Sequence, residues 1–423
     1  MISGLFFFII LTTAFLYDVT LSEKPPQGHH KNELWEKGLE SLVYARLAKS
    51  AQDGLLSAGG LMGFCYDNAD NFSKNHLFDE KYQINLYENR ECPNYGIYKS
   101  HPAMQALLFS LVGRVSGTPF TFNLITAMLL AAMLALWLVW ISRYFGLWSA
   151  VLTTAGILFL PWLIILGDNM YLVVGIMFFP MVAITWALER QWKKLFIISF
   201  ASFLFETLIT GPNFIFCAMT MSVVPVIFYA LKDKWEYKKM GRNILAIALG
   251  SILACSFSLV ILMAQISSVS SLKEGIGHVI HTTGSRAHGD PDNYAGKVKS
   301  SLESSLVPLI ETYLDITAIR IRNVTVSFRL LILFFIMTSL ITLILRRRTQ
   351  NAYLLPLLIT TWFSALSPLS WLIIAKGHSA EHIFLNPIVW HMPFALFGVA
   401  LCSVTFTETI HLIKNNVSML SGK

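Results

Sequence analysis

The sequence predicts an all-α polytopic membrane protein of about ten transmembrane helices, forming a single integral membrane domain over residues 1–423. Three observations carry this. Hydrophobic residues make up 55% of the chain and charged residues 13%, against about 45–50% and about 25% in soluble globular proteins. The apolar residues come in blocks of roughly 20, the length that crosses a bilayer. The short connections rich in Lys and Arg all fall on one face when the blocks are counted in order. This composition excludes a disordered chain, a coiled coil and an ordinary soluble enzyme.

Spans are expected at 2–18, 119–141, 145–166, 170–188, 195–210, 213–231, 243–266, 328–345, 353–375 and 388–407. Four basic connections then share a face. They hold Arg143; Arg190, Lys193 and Lys194; Lys232, Lys234, Lys238, Lys239 and Arg242; and Arg346, Arg347 and Arg348. The positive-inside rule makes that face cytoplasmic and puts both termini there. With Lys414 and Lys423 it carries 14 Lys and Arg against 4 Asp and Glu. The net charge of +7 is therefore a bias of topology. It implies a lipid bilayer as partner and no nucleic acid. The first span has no basic residue before its apolar run and no small-residue cleavage site after it, which favours a retained helix over a cleaved signal. Sparse glycosylation signals and short loops favour a bacterial inner (plasma) membrane.

Two outer connections are long, 19–118 and 267–327. Loops above about 15 residues are usually functional or disordered, and the periodicity of these two points to order. Leu34, Leu39, Leu42, Val43 and Leu47 predict an amphipathic helix within 33–52. Met104, Leu107, Leu108, Leu111 and Val112 predict a second. Both are expected to lie along the membrane surface. Cys217, Cys255 and Cys402 fall inside spans and read as small packing residues. Cys65 and Cys92 share the first outer loop. An oxidising compartment would join them as a disulfide and a reducing one would leave two thiols.

Chemistry, if present, faces outward, since only His411 of the 11 histidines falls on the cytoplasmic side. His378, Glu381 and His382 form an H-x-x-E-H segment, which on a helix is zinc-ligand spacing. A zinc peptidase of that class needs a distant further ligand, and the only later acid, Glu408, lies at the opposite face. The segment reads better as an anion pocket at the start of the final helix, with Lys376 beside it, or as a polar turn. The stretch 278–289 sets His278, His281, Arg286 and His288 among Gly, Thr and Ser, which suits a flexible phosphate-binding segment or a solvated loop. Asp168, in the short turn before the fourth span, is placed for coordination or sugar binding, or caps the next helix. Glu206 lies inside the fifth span, about one turn below the outer surface. An intramembrane carboxylate is a functional candidate by default, its alternative a hydrogen-bonded neutral group. Glu40 and Asp53 are the acids of interest in the first loop. Asp53 leads into the glycine-rich stretch 54–63, whose backbone can approach a ligand closely. Asp18, at the end of the first span, is a third possibility.

Three segments carry a resemblance. They are Glu40-Ser41-Leu42-Val43-Tyr44-Ala45-Arg46-Leu47 running on to Gly54, Tyr98-Lys99-Ser100-His101-Pro102, and Asp168-Asn169-Met170-Tyr171. With a large outer loop after the first helix, a long later outer loop and a polar turn before the last helix, the chain resembles the GT-C superfamily of membrane glycosyltransferases. The likeness is to its mannosyltransferase and aminoarabinose-transferase-like branch. The resemblance implies an inverting transfer on the outer face, from a polyprenyl-phosphate-linked sugar to a glycan or lipid acceptor. Arg286, His378 and His382 would meet the donor phosphate, with His101 and Glu206 as further substrate-binding positions. Glu40 or Asp53 would deprotonate the acceptor hydroxyl. Asp168 would hold the acceptor or a divalent cation such as Mg or Mn. Where that branch carries an Asp-Glu pair this chain has Leu39-Glu40, so the base stays open between Glu40 and Asp53. Two rival classes are a multi-pass transporter or lipid flippase, expected to show broken or charged helices at the midplane and internal repeats, and a non-catalytic envelope-assembly protein, which needs none of these polar residues.

Overall fold

The computed structural model describes residues 2–23, 39–67, 79–349, 351–383 and 386–421; Leu34 of the first amphipathic pattern lies outside them. Six helices are long and apolar enough to cross a membrane: Pro119–Phe145, Ile215–Lys232, Tyr237–Val269, Phe328–Arg346, Leu354–Ile374 and Pro387–Ser418. Four shorter apolar helices accompany them, Ile2–Leu16, Leu147–Leu158, Val174–Glu189 and Leu195–Thr210. Each of the ten expected spans falls on one of these, and the chain is a polytopic helical membrane protein. Exposed Leu245, Leu249, Ile252, Phe257 and Val260 run along Tyr237–Val269, and Leu333, Phe334, Met337, Leu340 and Ile344 along Phe328–Arg346. Continuous apolar faces of this kind are disfavoured in water and are matched by lipid.

Local chemistry sets the helix ends. Pro119 opens its helix behind Thr118, whose side chain accepts from the Thr121 N–H, and Gly146 ends it at φ +85°. The third expected span is interrupted. Its helix stops at Leu158 and a short helix, Pro161–Ile165, follows, because Pro161 cannot donate to the preceding turn. The last span is likewise divided at His391–Ala395, around Pro393, and its final helix, Leu396–Ser421, runs well past the expected end at 407.

Helix crossings rest on small residues. A Cβ at Gly175 would lie 2.4 Å from the Leu130 nitrogen and 2.6 Å from the Leu129 carbonyl carbon. The backbone of Val174–Glu189 therefore touches that of Pro119–Phe145, as membrane helices do where small residues line the interface. Gly175→Ala is expected to destabilise the protein by about 1–3 kcal/mol, read as a lower Tm in detergent. An unchanged Tm would contradict this close crossing.

The described residues of both long loops form regular elements, and each loop adds a hairpin, so the all-α expectation is corrected. In the first loop Met62–Tyr66 pairs antiparallel with Asn94–Tyr98, Gly63 facing Ile97 and Cys65 facing Tyr95. In the second, Thr317–Ile321 pairs with Val324–Ser327. The period-two alternation around Arg322-Asn323 is the signal for this second hairpin, and Arg322 sits at φ +52° in its turn. Helices Glu40–Asp53 and Met104–Ser116 answer the two predicted amphipathic segments, with Glu80–Asn89 between them. A Cys65–Cys92 disulfide closes the loop. Hydrogen bonds and an ion pair join the two loops. Ser22 Oγ donates to the Arg320 carbonyl at 2.7 Å, and Lys99 pairs with Glu274.

Candidate functional site

Four separate segments converge beneath these loops. The first follows the Asn94–Tyr98 strand. His101 is 1% exposed and packs on Gly211, where a Cβ would fall 2.5 Å from the His101 Cβ. The Gln105 amide lies 2.9 Å from His101 Nε2 and donates to the Tyr171 carbonyl at 3.2 Å. Gln105 thus donates to Nε2 as well, which leaves the ring proton on Nδ1, directed to Ser100 Oγ at 2.6 Å. Burial, reinforced by the charge of Arg286, pushes the His101 pKa down to about 3. The ring is neutral at physiological pH. Unfolded histidine titrates near 6.5, so between about pH 3 and 6.5 the unfolded chain binds the proton and the native state does not. His101 therefore makes native stability fall as pH drops through that window, by up to about 1.4 kcal/mol per pH unit. His101→Gln is expected to flatten the acid limb of a Tm–pH profile, and an unaltered slope would refute this assignment.

The second segment is the acidic turn 167–173. Glu40, 4% exposed, opens its helix and accepts the Met170 backbone N–H at 2.7 Å. Asn169 Oδ1 accepts from the Tyr171 and Leu172 nitrogens at 3.1 and 2.8 Å. Thr126 donates to the Asp168 carbonyl at 2.6 Å. Asp168 itself is 8% exposed and does not cap the next helix, which begins behind Val173 without a side-chain cap; the capping alternative is overturned. The Glu40 bond to Met170 sets it against the same turn as Asp168, two residues earlier. The glycine-rich stretch has a different neighbour from the one expected. A Cβ at Gly59 would meet the Gln265 carbonyl at 2.6 Å, so the stretch packs on the Tyr237–Val269 helix. Arg46 clamps it from inside, donating to the Leu55 carbonyl and to Ser57 Oγ. Asp53 is at the far end of its helix, about 20 Å from Glu40 by helical rise, and is ion-paired with Lys49. The structure does not bring it to the acidic turn.

The third and fourth segments supply cationic and imidazole groups. The stretch expected to be a flexible loop is helical over Leu272–Arg286, started by Ser271, whose side chain accepts the Glu274 N–H. Its end docks on the short helix Lys376–Glu381. The Gly377 N–H donates to the Ala287 carbonyl at 3.1 Å, and a Cβ at Gly377 would fall 2.2 Å from the Ser285 carbonyl oxygen. This docking brings Arg286 to His378 and His382, as expected, but on a separate helix rather than at the start of the final one. Lys376 is turned away, donating to the Leu302 carbonyl at 2.8 Å. The rings of His378 and His382 lie 4.3 Å apart. Burial, with Arg286 adding to it, holds His378 well below its ordinary value. Burial, then Lys297 and Arg286, takes His382 to about 3. Arg286 is half-buried, and loss of water around it lowers its pKa from the ordinary value. Guanidinium nonetheless remains charged in proteins.

A cavity of about 770 Å³, counting its mouth, lies against these groups. Ile215, Phe216, Leu259 and Leu262 make an apolar wall, while Ser100, Thr282, Arg286 and His378 make a polar end. Arg286 is the one Lys or Arg side chain among its described lining residues. Glu206 is fully buried and accepts from Thr210 at 3.0 Å. It is close enough to Cys217 and Cys255 to act on both electrostatically, and Cys255 lines the cavity. Glu206 therefore belongs to the apolar side, away from Arg286.

A hard cation such as Mg or Mn takes six or more oxygen ligands. At the acidic turn the Glu40 and Asn169 oxygens already accept backbone N–H groups, so the donor set fits such an ion poorly and no step is derived through one. Tyr171 was missed as a site residue. Its ring meets His101 at 5.4 Å, its hydroxyl lies 3.5 Å from Ser100 Oγ, and burial raises its pKa well above 10. Gln105 was missed too; His278, expected in a flexible segment, stands on the Leu272–Arg286 helix and its ring reaches the Lys99 carbonyl at 2.6 Å. Only the position of Tyr171, three residues after Asp168, carried a signal. No family model, curated protein or solved structure matches the chain.

Proposed function

We propose that the chain is a membrane glycosyltransferase of the GT-C kind, moving a sugar from a polyprenyl-phosphate donor to a lipid- or glycan-linked acceptor on the outer face, with both termini cytoplasmic. The observation that carries the proposal is the cavity. It joins an apolar wall suited to an isoprenoid chain to one recessed guanidinium suited to its phosphate. Asp168, three residues before the Tyr171 ring that meets His101, takes the proton from the acceptor hydroxyl. The freed oxygen bonds to the anomeric carbon from the face opposite the phosphate. The anomeric C–O bond breaks, its electron pair leaves on the lipid phosphate, and Arg286 offsets the developing charge. Glu40 acts as a positioning residue, holding the acidic turn through Met170.

Mass spectrometry of envelope glycans from cells with and without the gene tests this reading, and loss of one sugar residue is the expected result. The second Glu206 carboxylate oxygen, which has no hydrogen-bond partner among the described residues, favours a transporter as the other reading. Unchanged glycans together with substrate flux in proteoliposomes and no covalent product would establish that alternative.

A further inference from the structure

Phosphate binding by Arg286 leaves one group of side chains without a purpose. His378, Glu381 and His382 stand at i, i+3 and i+4 at the end of Lys376–Glu381, a spacing that puts all three on one face. One ligand atom from each lies within 4.8 Å of the others. Glu381 Oε2 is 3.7 Å from His382 Nε2. The His378 ring is 6% exposed and lines the cavity. Among the described residues it makes aromatic contacts with Trp371 and His382 and no hydrogen bond. Its ring nitrogens are therefore not engaged by a described neighbour, and the cavity gives a ligand access to them.

We propose that His378, Glu381 and His382 bind a transition-metal dication of the zinc class, with an open coordination position toward the cavity. Two imidazole nitrogens and one carboxylate oxygen form a three-ligand zinc set of the kind found where the fourth position is kept for water or substrate. Glu381 is here a ligand, so the site closes without the distant residue a zinc peptidase would need. Glu408 could not have supplied one, since it accepts from Asn351 at 2.7 Å on the last helix. Arg286 and Lys297 both act on these imidazoles and repel a bare dication. This repulsion separates the metal reading from a simple anion pocket, because removing the Arg286 charge should tighten a metal and loosen an anion. The proposal does not depend on glycosyl transfer, since it is read without any substrate.

The test uses the full chain in detergent, stripped with a chelator and titrated with Co²⁺ as a visible probe. One equivalent per chain is expected, with the d–d bands of a low-coordinate nitrogen and oxygen site, displaced by Zn²⁺. Glu381→Gln, His378→Ala and His382→Ala should each weaken binding at least about tenfold, comparing well with the 10–100-fold effects seen even for outer-sphere partners. Arg286→Gln should bind Co²⁺ as tightly or more so. X-ray absorption of the zinc-loaded wild-type chain needs no variant and should report two imidazole ligands. Absence of stoichiometric cobalt, fewer than two imidazoles in that spectrum, or looser cobalt in Arg286→Gln would overturn the site.

Discussion

Arg286→Ala is expected to reduce sugar transfer from a polyprenyl-phosphate donor by about 100- to 1000-fold, the range for removing one preorganised charge-stabilising group. The effect is large because no other described Lys or Arg side chain lines the cavity. The neighbouring imidazoles of His101 and His382 have been taken to about 3, so neither substitutes as a cation at pH 7. Negative charge developing on the leaving phosphate then meets no Lys or Arg side chain among the described lining residues. Arg286→Lys keeps the charge and loses the planar fork that engages two phosphate oxygens, so an intermediate rate is expected. The measurement is transfer of a labelled sugar in proteoliposomes, with monodisperse elution in detergent as the check on folding. Full activity in Arg286→Ala would remove this residue from the reaction.

Asp168→Asn should have a comparable effect, about 100- to 10,000-fold on transfer, the usual contribution of a positioned general base. Asparagine keeps the size of the side chain, and the Thr126 hydroxyl still finds the residue-168 carbonyl. The loss would therefore report basicity rather than fold. Two comparisons sharpen the assignment. Asp53→Asn should leave the rate unchanged, since Asp53 is paired with Lys49 away from the acidic turn. Glu40→Gln should retain much of the rate, because an amide oxygen can still accept the Met170 N–H. Glu40→Ala leaves that buried donor unsatisfied at about 1–3 kcal/mol. If Asp168→Asn is fully active while Glu40→Gln is inactive, the two acids exchange roles.

Much of the architecture was legible in the residue order. Ten apolar segments and two amphipathic ones were found, as was the Cys65–Cys92 pairing given an oxidising outer side. Each depends on chemistry within one segment, or on two residues sharing one loop. The hairpins were harder to see. Met62–Tyr66 has no clear alternation, and it is defined by Gly63 lying against Tyr95 across the strands, a contact with a segment about thirty residues away. The helix at Leu272–Arg286 was hidden by its Gly, Thr and Ser content, which lowers helix propensity. Its Ser271 cap and the packing of Gly275 on Met263 of the Tyr237–Val269 helix prevail over that preference.

For the site, residue types singled out Arg286, His378 and His382 as candidates, and composition alone left the base open between Glu40 and Asp53. The surroundings of each acid depend on neighbours distant in the chain, such as the Met170 N–H that Glu40 accepts.

What the sequence by itself determined is the hydrophobic segmentation. The cost of leaving polar groups in hydrocarbon accumulates along consecutive residues and can be summed without knowing the fold. Only the tertiary structure decided that Ser100, Arg286 and His378 share one cavity. Their proximity follows from backbone docking between distant segments, at Gly211 on His101 and Gly377 on Ser285. Burial there lowers the pKa of His101, His378 and His382, and that depends on neighbours the linear order does not reveal.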